Sequence, residues 1–268
     1  MLILVCSNDL LIGNTYLEKQ KVNIKNKYKV KIGLIGYGKM GREIEKIALD
    51  RGHEIVLIID INNPEDLTIN NIKKADVVIE FTIPASAIDN YKLCFEAGVP
   101  VVSGTTGWLE KRDEVHQYCK AQNGTFFHTT NFSLGVNIFF AVNKRLAQLM
   151  AGHLGEYKVE MKEIHHTQKL DAPSGTAITL AEGIFENIPT IKSWVNKPTE
   201  SADVIGIISE REGQVPGTHI VKYDSEVDYL EITHCAKSRK GLALGAVLAA
   251  EYSAGKKGIL SMNDLLNI

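Results

Sequence analysis

The feature that most constrains the fold of this chain is a short apolar run that leads directly into a glycine-rich turn and then into a helical pattern. The run ends at Ile35, and residues 36–41 have the sequence Gly-Tyr-Gly-Lys-Met-Gly. Apolar residues then recur at helical spacing, at Met40, Ile44, Ile47 and Ala48. A strand, a G-x-G-x-x-G turn and a helix N-terminus in this order predict a β-α-β unit that can receive the pyrophosphate of a dinucleotide.

A carboxylate at the end of the next apolar run strengthens this prediction. Asp60 follows the run 55–59 and lies 19 residues after Gly41, where it can accept hydrogen bonds from ribose hydroxyls. The alternative is a glycine-rich turn that only packs a helix on a strand. Because no arginine follows Asp60, we expect NADH to be preferred over NADPH, although Lys39 could receive a 2′-phosphate.

Further apolar runs predict an α/β fold with two domains, as does a length of 268 residues. Strands at 75–81 and 99–102, with helical patterns at 85–97 and 110–121, indicate a Rossmann-like, doubly wound parallel sheet. A strand at 125–127 precedes a helix at 133–150. Alternating strands then predict a C-terminal α+β domain with a mixed open sheet, at 157–164, 204–209, 219–223 and 229–234. We expect a helix at 241–254 to return to the first domain.

Composition excludes several classes of function. Thirty Lys and Arg against 32 Asp and Glu give a net charge of −2, so no overall basic field is available for nucleic acid or an anionic membrane. The four cysteines are scattered and predict reduced, mostly buried thiols. No window approaches the roughly 18 to 20 apolar residues of a membrane span. We therefore expect a cytoplasmic protein, with the Lys/Asn-rich residues 1–28 as an N-terminal extension.

The densest group of chemically active residues is the segment 163–177, with the sequence EIHHTQKLDAPSGTA. His165, His166 and Lys169 place three potential cations within five residues, on a loop that leaves a strand near Ile164. Ser174 predicts the N-cap of a helix at 176–185, whose first backbone N–H groups can receive a carboxylate. The segment therefore predicts a receptor for a small polycarboxylate that can also move protons.

Alternatives to this interpretation are a zinc site and a surface loop with chance basic residues. Adjacent histidines with no Cys and no H-E-x-x-H disfavour zinc, and we expect no metal. A rival catalytic motif, Y-x-x-x-K at Tyr252 and Lys256 with Ser238 upstream, is rejected because its glycine pattern differs and its helix is ending there. Two weaker segments, 104–107 (Gly-Thr-Thr-Gly) and 129–132 (Thr-Thr-Asn-Phe), could contact a nicotinamide ribose and ring.

Taken together, EIHHTQKLDAPSGTA, GYGKMG, GTTGW, TTNFSLGVN and EITHCAKSR resemble the 4-hydroxy-tetrahydrodipicolinate (dihydrodipicolinate) reductase family, over about residues 30–268. The resemblance implies reduction of 4-hydroxy-tetrahydrodipicolinate to tetrahydrodipicolinate by NADH or NADPH, with loss of water, in the diaminopimelate route to lysine. It also implies a homotetramer built through the C-terminal-domain sheets. The domains are then 29–130, completed by 240–268, for the dinucleotide, and 131–239 for substrate and assembly.

The resemblance assigns roles to individual residues. His165 is the acid/base residue, and Lys169 donates a proton to the ring. The residues that it implies for the substrate are His166, Ser174, Gly175, Thr176 and Arg239. Those that it implies for the cofactor are Gly36, Gly38, Lys39, Met40, Gly41, Asp60, Gly104, Thr105, Thr106, Thr129, Thr130, Asn131 and Phe132. Hinges are expected near 128–132 and 237–241. The alternatives are a reductase of another small carboxylate and a non-catalytic NADH sensor.

Overall fold

The computed structural model describes residues 29–268, which form two compact units. Within this part of the chain, the first unit contains residues 29–126 and 250–258, and the second contains residues 127–249 and 259–268. The chain therefore enters the second unit at residue 127, returns to the first at residue 250 and enters the second again at residue 259. The predicted extension 1–28 and Cys6 lie outside the described residues.

A six-stranded sheet is the framework of the nucleotide-binding fold that the glycine turn predicts. Its strands are β1 (Lys31–Ile35), β2 (Glu54–Ile59), β3 (Val77–Glu80), β4 (Val101–Ser103), β5 (Thr125–His128) and β11 (Gly258–Leu260). Their order is β11-β5-β4-β3-β1-β2, and β1 pairs in parallel with both β2 and β3. The connections contain α1 (Lys39–Asp50), α2 (Ile69–Ile72), α3 (Pro84–Ala97) and α4 (Arg112–Ala121). The predicted Rossmann-like sheet is confirmed.

Buried apolar side chains hold this first unit together. Ile32 and Leu34 of β1 and the whole of β3 are inaccessible to solvent. On the α3 side, the Tyr91 ring lies 4.9 Å from that of Phe126 and 5.3 Å from that of Trp108. Buried aromatic rings at such distances stabilise a core beyond their area alone, and they fix the carboxyl ends of β3 and β4.

A five-stranded mixed sheet, also predicted, forms the second unit. Its strands are β6 (Lys158–His165), β7 (Ser193–Val195), β8 (Val204–Arg211), β9 (Thr218–Asp224) and β10 (Tyr229–Cys235), in the order β10-β9-β6-β8-β7. β6 pairs in parallel with β8 and antiparallel with β9. The helices are α5 (Leu134–Met150), α6 (Gly175–Phe185), α7 (Lys240–Ser253), which runs into the first unit, and α8 (Met262–Leu266).

Buried and half-buried residues alternate along β6 and β9, so one face of the second sheet is buried. Met161 and Val221 on that face belong to one core cluster with Phe139 of α5 and Leu180 of α6. The buried set along β6 continues with Glu163 and His165, so two polar side chains follow two apolar ones on the core face. This polar end of an otherwise apolar face is where the site of the second unit lies.

Most elements follow the sequence prediction, and the differences are local. The short strands β7 and β11 and the helix α8 were not predicted, and β6 extends to His165, so that this residue ends a strand instead of lying on a loop. Cys94 and Cys119 are buried thiols, whereas Cys235 is exposed. No helix in the described range 29–268 has the length and apolar character needed to cross a membrane.

Candidate active site

The glycine turn between β1 and α1 leaves room for a ligand where the sequence predicts a pyrophosphate. Gly36 has φ +94°, and a Cβ there would lie 2.0 Å from the Phe81 carbonyl oxygen, so only glycine fits. At Gly38, a Cβ would meet nothing within 4 Å. Gly38 is also the N-cap of α1 and provides no side-chain cap. The first N–H groups of α1 are therefore available to an anion.

A cavity of about 450 Å³ opens beside this turn. Gly36, Gly38 and Asp60, all predicted, line it, whereas the predicted Lys39, Met40 and Gly41 do not. The lining residues that the sequence interpretation missed include Tyr37, Ile61, Leu67, Phe81, Thr82, Ile83, Ser86 and Asn90. The cavity combines an anion-binding turn, an apolar wall and a carboxylate, a combination that fits a dinucleotide.

The turn after β2 presents the Asp60 carboxylate. The Asp60 backbone N–H donates to Asn63 Oδ1 at 2.8 Å, and Asn63 Nδ2 donates to the Ile58 carbonyl at 2.9 Å. Within residues 29–268, no side chain bonds the carboxylate itself, which leaves both oxygens for ribose hydroxyls. Arg42 is a cation near the cavity that the sequence interpretation missed. Its guanidinium lies over the Tyr37 ring, 4.9 Å from the ring centroid.

Glu80, at the carboxyl end of β3, connects two loops beside this cavity. Its fully buried carboxyl accepts hydrogen bonds from Thr82, from Ser103 at 2.7 Å and from Thr105 at 3.0 Å. Burial raises the pKa of Glu80 above its ordinary value, although the hydrogen bonds from these hydroxyls oppose that shift. Gly104 is required beside it, because a Cβ there would lie 2.2 Å from the Phe81 ring.

The predicted segment 104–106 is thus placed by Glu80, and it does not line the cavity. Thr105 also accepts a hydrogen bond from the Thr82 backbone N–H at 2.8 Å, and Thr82 does line the cavity. The loops after β3 and β4 are therefore joined through one buried carboxyl. The sequence contained no local signal for this, because the partners of Glu80 lie up to 25 residues away.

Two adjoining cavities in the second unit surround His165. One, of about 470 Å³, is lined by Lys169, Ser174, Gly175, Thr176, Thr130 and Asn131 among others, and the second, of about 140 Å³, by His219, His234 and Arg239 among others. Asn131, His165 and Thr176 line both. As predicted, the Ser174 hydroxyl caps α6 by accepting from the Ala177 N–H at 3.2 Å. The helix N-terminus faces the larger cavity together with His165 and Lys169.

Several predicted residues take positions that the sequence did not indicate. The Lys169 ammonium donates to both oxygens of Asp171 at 2.8 Å, and this hydrogen bond lowers the pKa of Asp171. His166 is half-buried on the loop after β6 and lines neither cavity. Thr129 and Asn131 bond each other, and the buried Phe132 ring stacks on Phe127 at 6.0 Å. The predicted cofactor residues Thr130 and Asn131 thus share a cavity with the predicted substrate residues.

Strand register builds a polar cluster behind His165. Glu163 of β6 pairs with Ser209 of β8 and with His219 of β9, so the three residues lie side by side on three adjacent strands. Two residues further along β6, His165 pairs with Arg211 of β8. Glu163 is fully buried and accepts from the Ser174 N–H at 3.1 Å and from the Ser209 hydroxyl at 2.8 Å.

Electrostatics distinguishes the members of this cluster. Burial opposes the charged form of Glu163, but the hydrogen bonds from Ser174 and Ser209 outweigh it, so the pKa of this carboxyl is lowered. Burial lowers the pKa of His165 and, with the help of the nearby His165 ring, lowers that of His219 to about 4. Both imidazoles therefore favour the neutral form beside a charged carboxylate. A neutral His that can accept a proton suits general acid/base work.

The sequence interpretation missed Glu163, His219, His234 and Arg211. One signal for Glu163 was present, since it falls on the same alternating face as Val159 and Met161. Glu163, His165 and His219 also bring their ligand atoms within 4.8 Å of one another, close enough to hold a metal ion. However, N–H and O–H groups of Ser174 and Ser209 already donate to the Glu163 carboxylate, which favours a hydrogen-bonded cluster.

Comparisons with known proteins agree with this arrangement. Family models of the dihydrodipicolinate reductase N-terminus and C-terminus match residues 30–132 and 135–266. A 4-hydroxy-tetrahydrodipicolinate reductase of Christiangramia forsetii is 49% identical over 236 residues, covering 88% of this chain and 97% of the relative. A reductase of the same name from Methanocaldococcus jannaschii is 34% identical, covering 88% of this chain and 81% of the relative.

A solved structure shares the fold. It is described as a dipicolinate-bound dihydrodipicolinate reductase from Paenisporosarcina sp. TG-14, and it matches with a TM-score of 0.71 at 22% identity. The match covers 88% of this chain and 99% of the other.

Proposed function

This chain belongs to the dihydrodipicolinate reductase family, and from that premise we propose a division of roles between its two units. The chain is an oxidoreductase of the diaminopimelate route to lysine. It reduces 4-hydroxy-tetrahydrodipicolinate to tetrahydrodipicolinate with NAD(P)H and with loss of water. The first unit binds the dinucleotide, and the second unit binds the dicarboxylate and transfers the proton.

The cofactor role of the first unit rests on the turn 36–41 and the cavity beside it. The N–H groups at the start of α1 bind the pyrophosphate, and the open space at Gly38 lets it approach the backbone. The Asp60 carboxylate accepts hydrogen bonds from the adenosine ribose. It would repel a 2′-phosphate, so we propose that NADH is preferred, with Lys39 and Arg42 as the nearest cations for NADPH. When bound, the cofactor supplies the hydride.

The observation that carries the substrate role is the cavity that joins His165, Lys169 and the N-terminus of α6. The Gly175 and Thr176 N–H groups, Ser174, His166 and Arg239 bind the carboxylates. Lys169 donates a proton to the ring once it is released from Asp171, and His165 acts as acid/base. Positive charge and N–H groups around a dianion stabilise the electron density that reduction creates.

Assembly and location are further parts of the proposal. We propose a homotetramer that forms through the sheet of the second unit, where Val227, Tyr229 and Leu230 are exposed apolar residues at the edge. Light scattering after size-exclusion chromatography tests the tetramer directly. Location in the cytoplasm stays a prediction from the sequence.

The experiment that tests this function is oxidation of NADH by the purified chain. The substrate is generated in place from pyruvate and aspartate semialdehyde by the synthase that precedes this step, and NADPH is tested in parallel. Oxidation that depends on the synthase, and that is faster with NADH, is the expected result. No oxidation while NADH still binds would contradict it and favour a sensor or a reductase of another carboxylate.

A further inference from the structure

The buried carboxylate of Glu163 contacts several residues of the proposed site, yet it has no role of its own in substrate binding or proton transfer. It lies behind His165 and behind the cap of α6, and it contacts neither cavity directly. We propose that Glu163 is a positioning residue that connects the acid/base His165 to the carboxylate-binding N-terminus of α6. The inference rests on the proposed function, because it assigns His165 and α6 their roles.

The first half of the argument is the link to α6. The Ser174 N–H lies 3.1 Å from each Glu163 oxygen, so both oxygens share this donor. The Ser174 hydroxyl caps the Ala177 N–H, and it lies 3.1 Å from His219 Nε2. Glu163 therefore fixes the residue at which the helix begins. The direction of the N–H groups of Gly175 and Thr176 follows from that position.

The second half is the link to His165. Its Nδ1 is buried, has no hydrogen-bond partner within the described chain, and lies 3.5 Å from Glu163 Oε2. A nearby anion favours the tautomer that carries the proton on Nδ1, which leaves Nε2 as the basic nitrogen. His165 Nε2 lies near Gly217, where a Cβ would come within 3.0 Å of it. The 3.5 Å between His165 Nδ1 and Glu163 Oε2 is compatible with this role, because catalytic hydrogen bonds are often long before substrate binds and shorten in the complex.

Other charges around His165 make the role of Glu163 specific. Lys169, Arg211 and His166 all act against a positive charge on His165, His219 lies beside it, and Glu163 is the anion that acts in the opposite direction. Arg211 Nη2 is 3.5 Å from Glu163 Oε1 and also donates to the Asp171 carbonyl at 2.6 Å. Glu163 is thus the fully buried anion beside His165, whereas the Asp171 carboxylate pairs with Lys169 in a more exposed position.

The test compares Glu163→Gln with Glu160→Gln. Glu160 lies on the same strand, but its half-exposed carboxylate pairs with Lys158 at 3.4 Å and does not contact His165 or α6. Gln at 163 keeps one acceptor for Ser174 and Ser209, but it presents an NH2 group to His165 Nδ1 and reverses the preferred tautomer. We expect kcat to fall about 10-fold or more, with KM and NADH affinity changed less than about 3-fold. The Glu160→Gln variant should match the wild type.

Two further readouts separate positioning from folding. In ¹⁵N-histidine spectra, with the His165 signal assigned by His165→Gln, the proton should move from Nδ1 to Nε2 in Glu163→Gln. The kcat effect of Glu163→Gln should also disappear in the His165→Gln background, because the two residues act together. In Glu163→Ala, which removes the acceptor of the Ser174 N–H, the affinity for dipicolinate, used as a dicarboxylate probe, should fall as well.

The outcomes are distinguishable. A Glu163→Gln variant with wild-type kcat and an unchanged tautomer overturns the role of Glu163 and leaves the proposed function intact. If the wild type itself shows no synthase-dependent oxidation, the proposed function fails, while the spectra still decide whether Glu163 controls the His165 tautomer. If Glu163→Ala does not fold, the Gln variant and its spectra are sufficient for the decision.

Discussion

Within residues 29–268, each unit contains one completely buried glutamate near the carboxyl end of a central strand, and the two glutamates are held in different ways. Glu80 accepts hydrogen bonds from the hydroxyls of Thr82, Ser103 and Thr105 and from the Thr82 backbone N–H, and burial raises its pKa. Glu163 receives a backbone N–H and a serine hydroxyl, has an arginine nearby, and has a lowered pKa. Burial alone therefore does not decide whether a carboxyl is charged.

The difference matches the proposed work of each unit. Hydroxyl groups can accept as well as donate, and the Thr82 backbone N–H also has Thr105 Oγ1 as an acceptor, so the partners of Glu80 tolerate a proton on this carboxyl, which joins two loops. The backbone N–H of Ser174 and the guanidinium of Arg211 can only donate, so Glu163 must remain an acceptor. A carboxyl with a raised pKa suits the unit that binds an anionic cofactor. A charged one suits the unit that must hold cations and histidines near a dianion.

The largest expected effect is the loss of kcat when the proposed proton donor of the second unit, Lys169, is removed. Lys169→Ala should lower kcat by about 10²- to 10⁴-fold, the range that positioned acids contribute, and leave NADH affinity unchanged. Stopped-flow turnover and NADH fluorescence titration measure the two quantities. Lys162→Ala is the matched control, since Lys162 lies on the preceding strand and pairs with Glu210. Full activity in Lys169→Ala would remove Lys169 from the mechanism.

The next effect is a loss of stability when each buried glutamate is replaced by glutamine, its neutral isostere. Glu80→Gln replaces a carboxyl whose pKa burial raises, so the free energy of unfolding should change by less than about 1 kcal/mol. Glu163→Gln replaces a charged acceptor and should lower that free energy by about 2 kcal/mol, because hydrogen bonds to charged groups are the stronger ones. Urea unfolding at pH 7 measures both. Equal losses in the two variants would show that their charge states do not differ.

A smaller effect concerns the half-buried Asp60 carboxylate of the first unit. Asp60→Ala should raise the KM for NADH about 10-fold and change that for NADPH little, since one charge-assisted hydrogen bond is lost and one repulsion is removed. Steady-state kinetics with both cofactors gives the ratio. Glu65→Ala, an exposed residue of the following turn, is the control. An unchanged ratio would show that Asp60 does not select the cofactor.

The last effect is a dependence of stability on pH. The folded state holds His219 neutral, with a pKa of about 4 against 6.5 in the unfolded chain. The unfolded state therefore binds more protons between these values, and stability falls as the pH falls from 6.5 towards 4. His219→Gln should remove about 2 kcal/mol of the loss between pH 7 and pH 5, measured by urea unfolding at these two pH values. Exposed His153→Gln should leave the pH dependence unchanged.

Sequence patterns predicted those parts of the sites that short stretches of chain build. The β1 strand, the turn 36–41 and α1 are adjacent in sequence. Ser174 likewise directly precedes α6, the helix that it caps. The helix α8 could also have been predicted, because Ser261 and Asp264 form a capping box with a readable spacing. Strands β7 and β11, of three residues each, carry too few residues for any periodicity.

The sequence by itself determined the fold class, the glycine turn and the residues that can carry the chemistry, because periodicity and capping act over a few residues. Only the tertiary structure decided which charges meet. Glu163, Ser209 and His219 are brought together by the register of β8, β6 and β9, and the Lys169 ammonium pairs with Asp171. Register depends on the packing of a whole sheet face, and a shift of one residue would turn Glu163 to the opposite face.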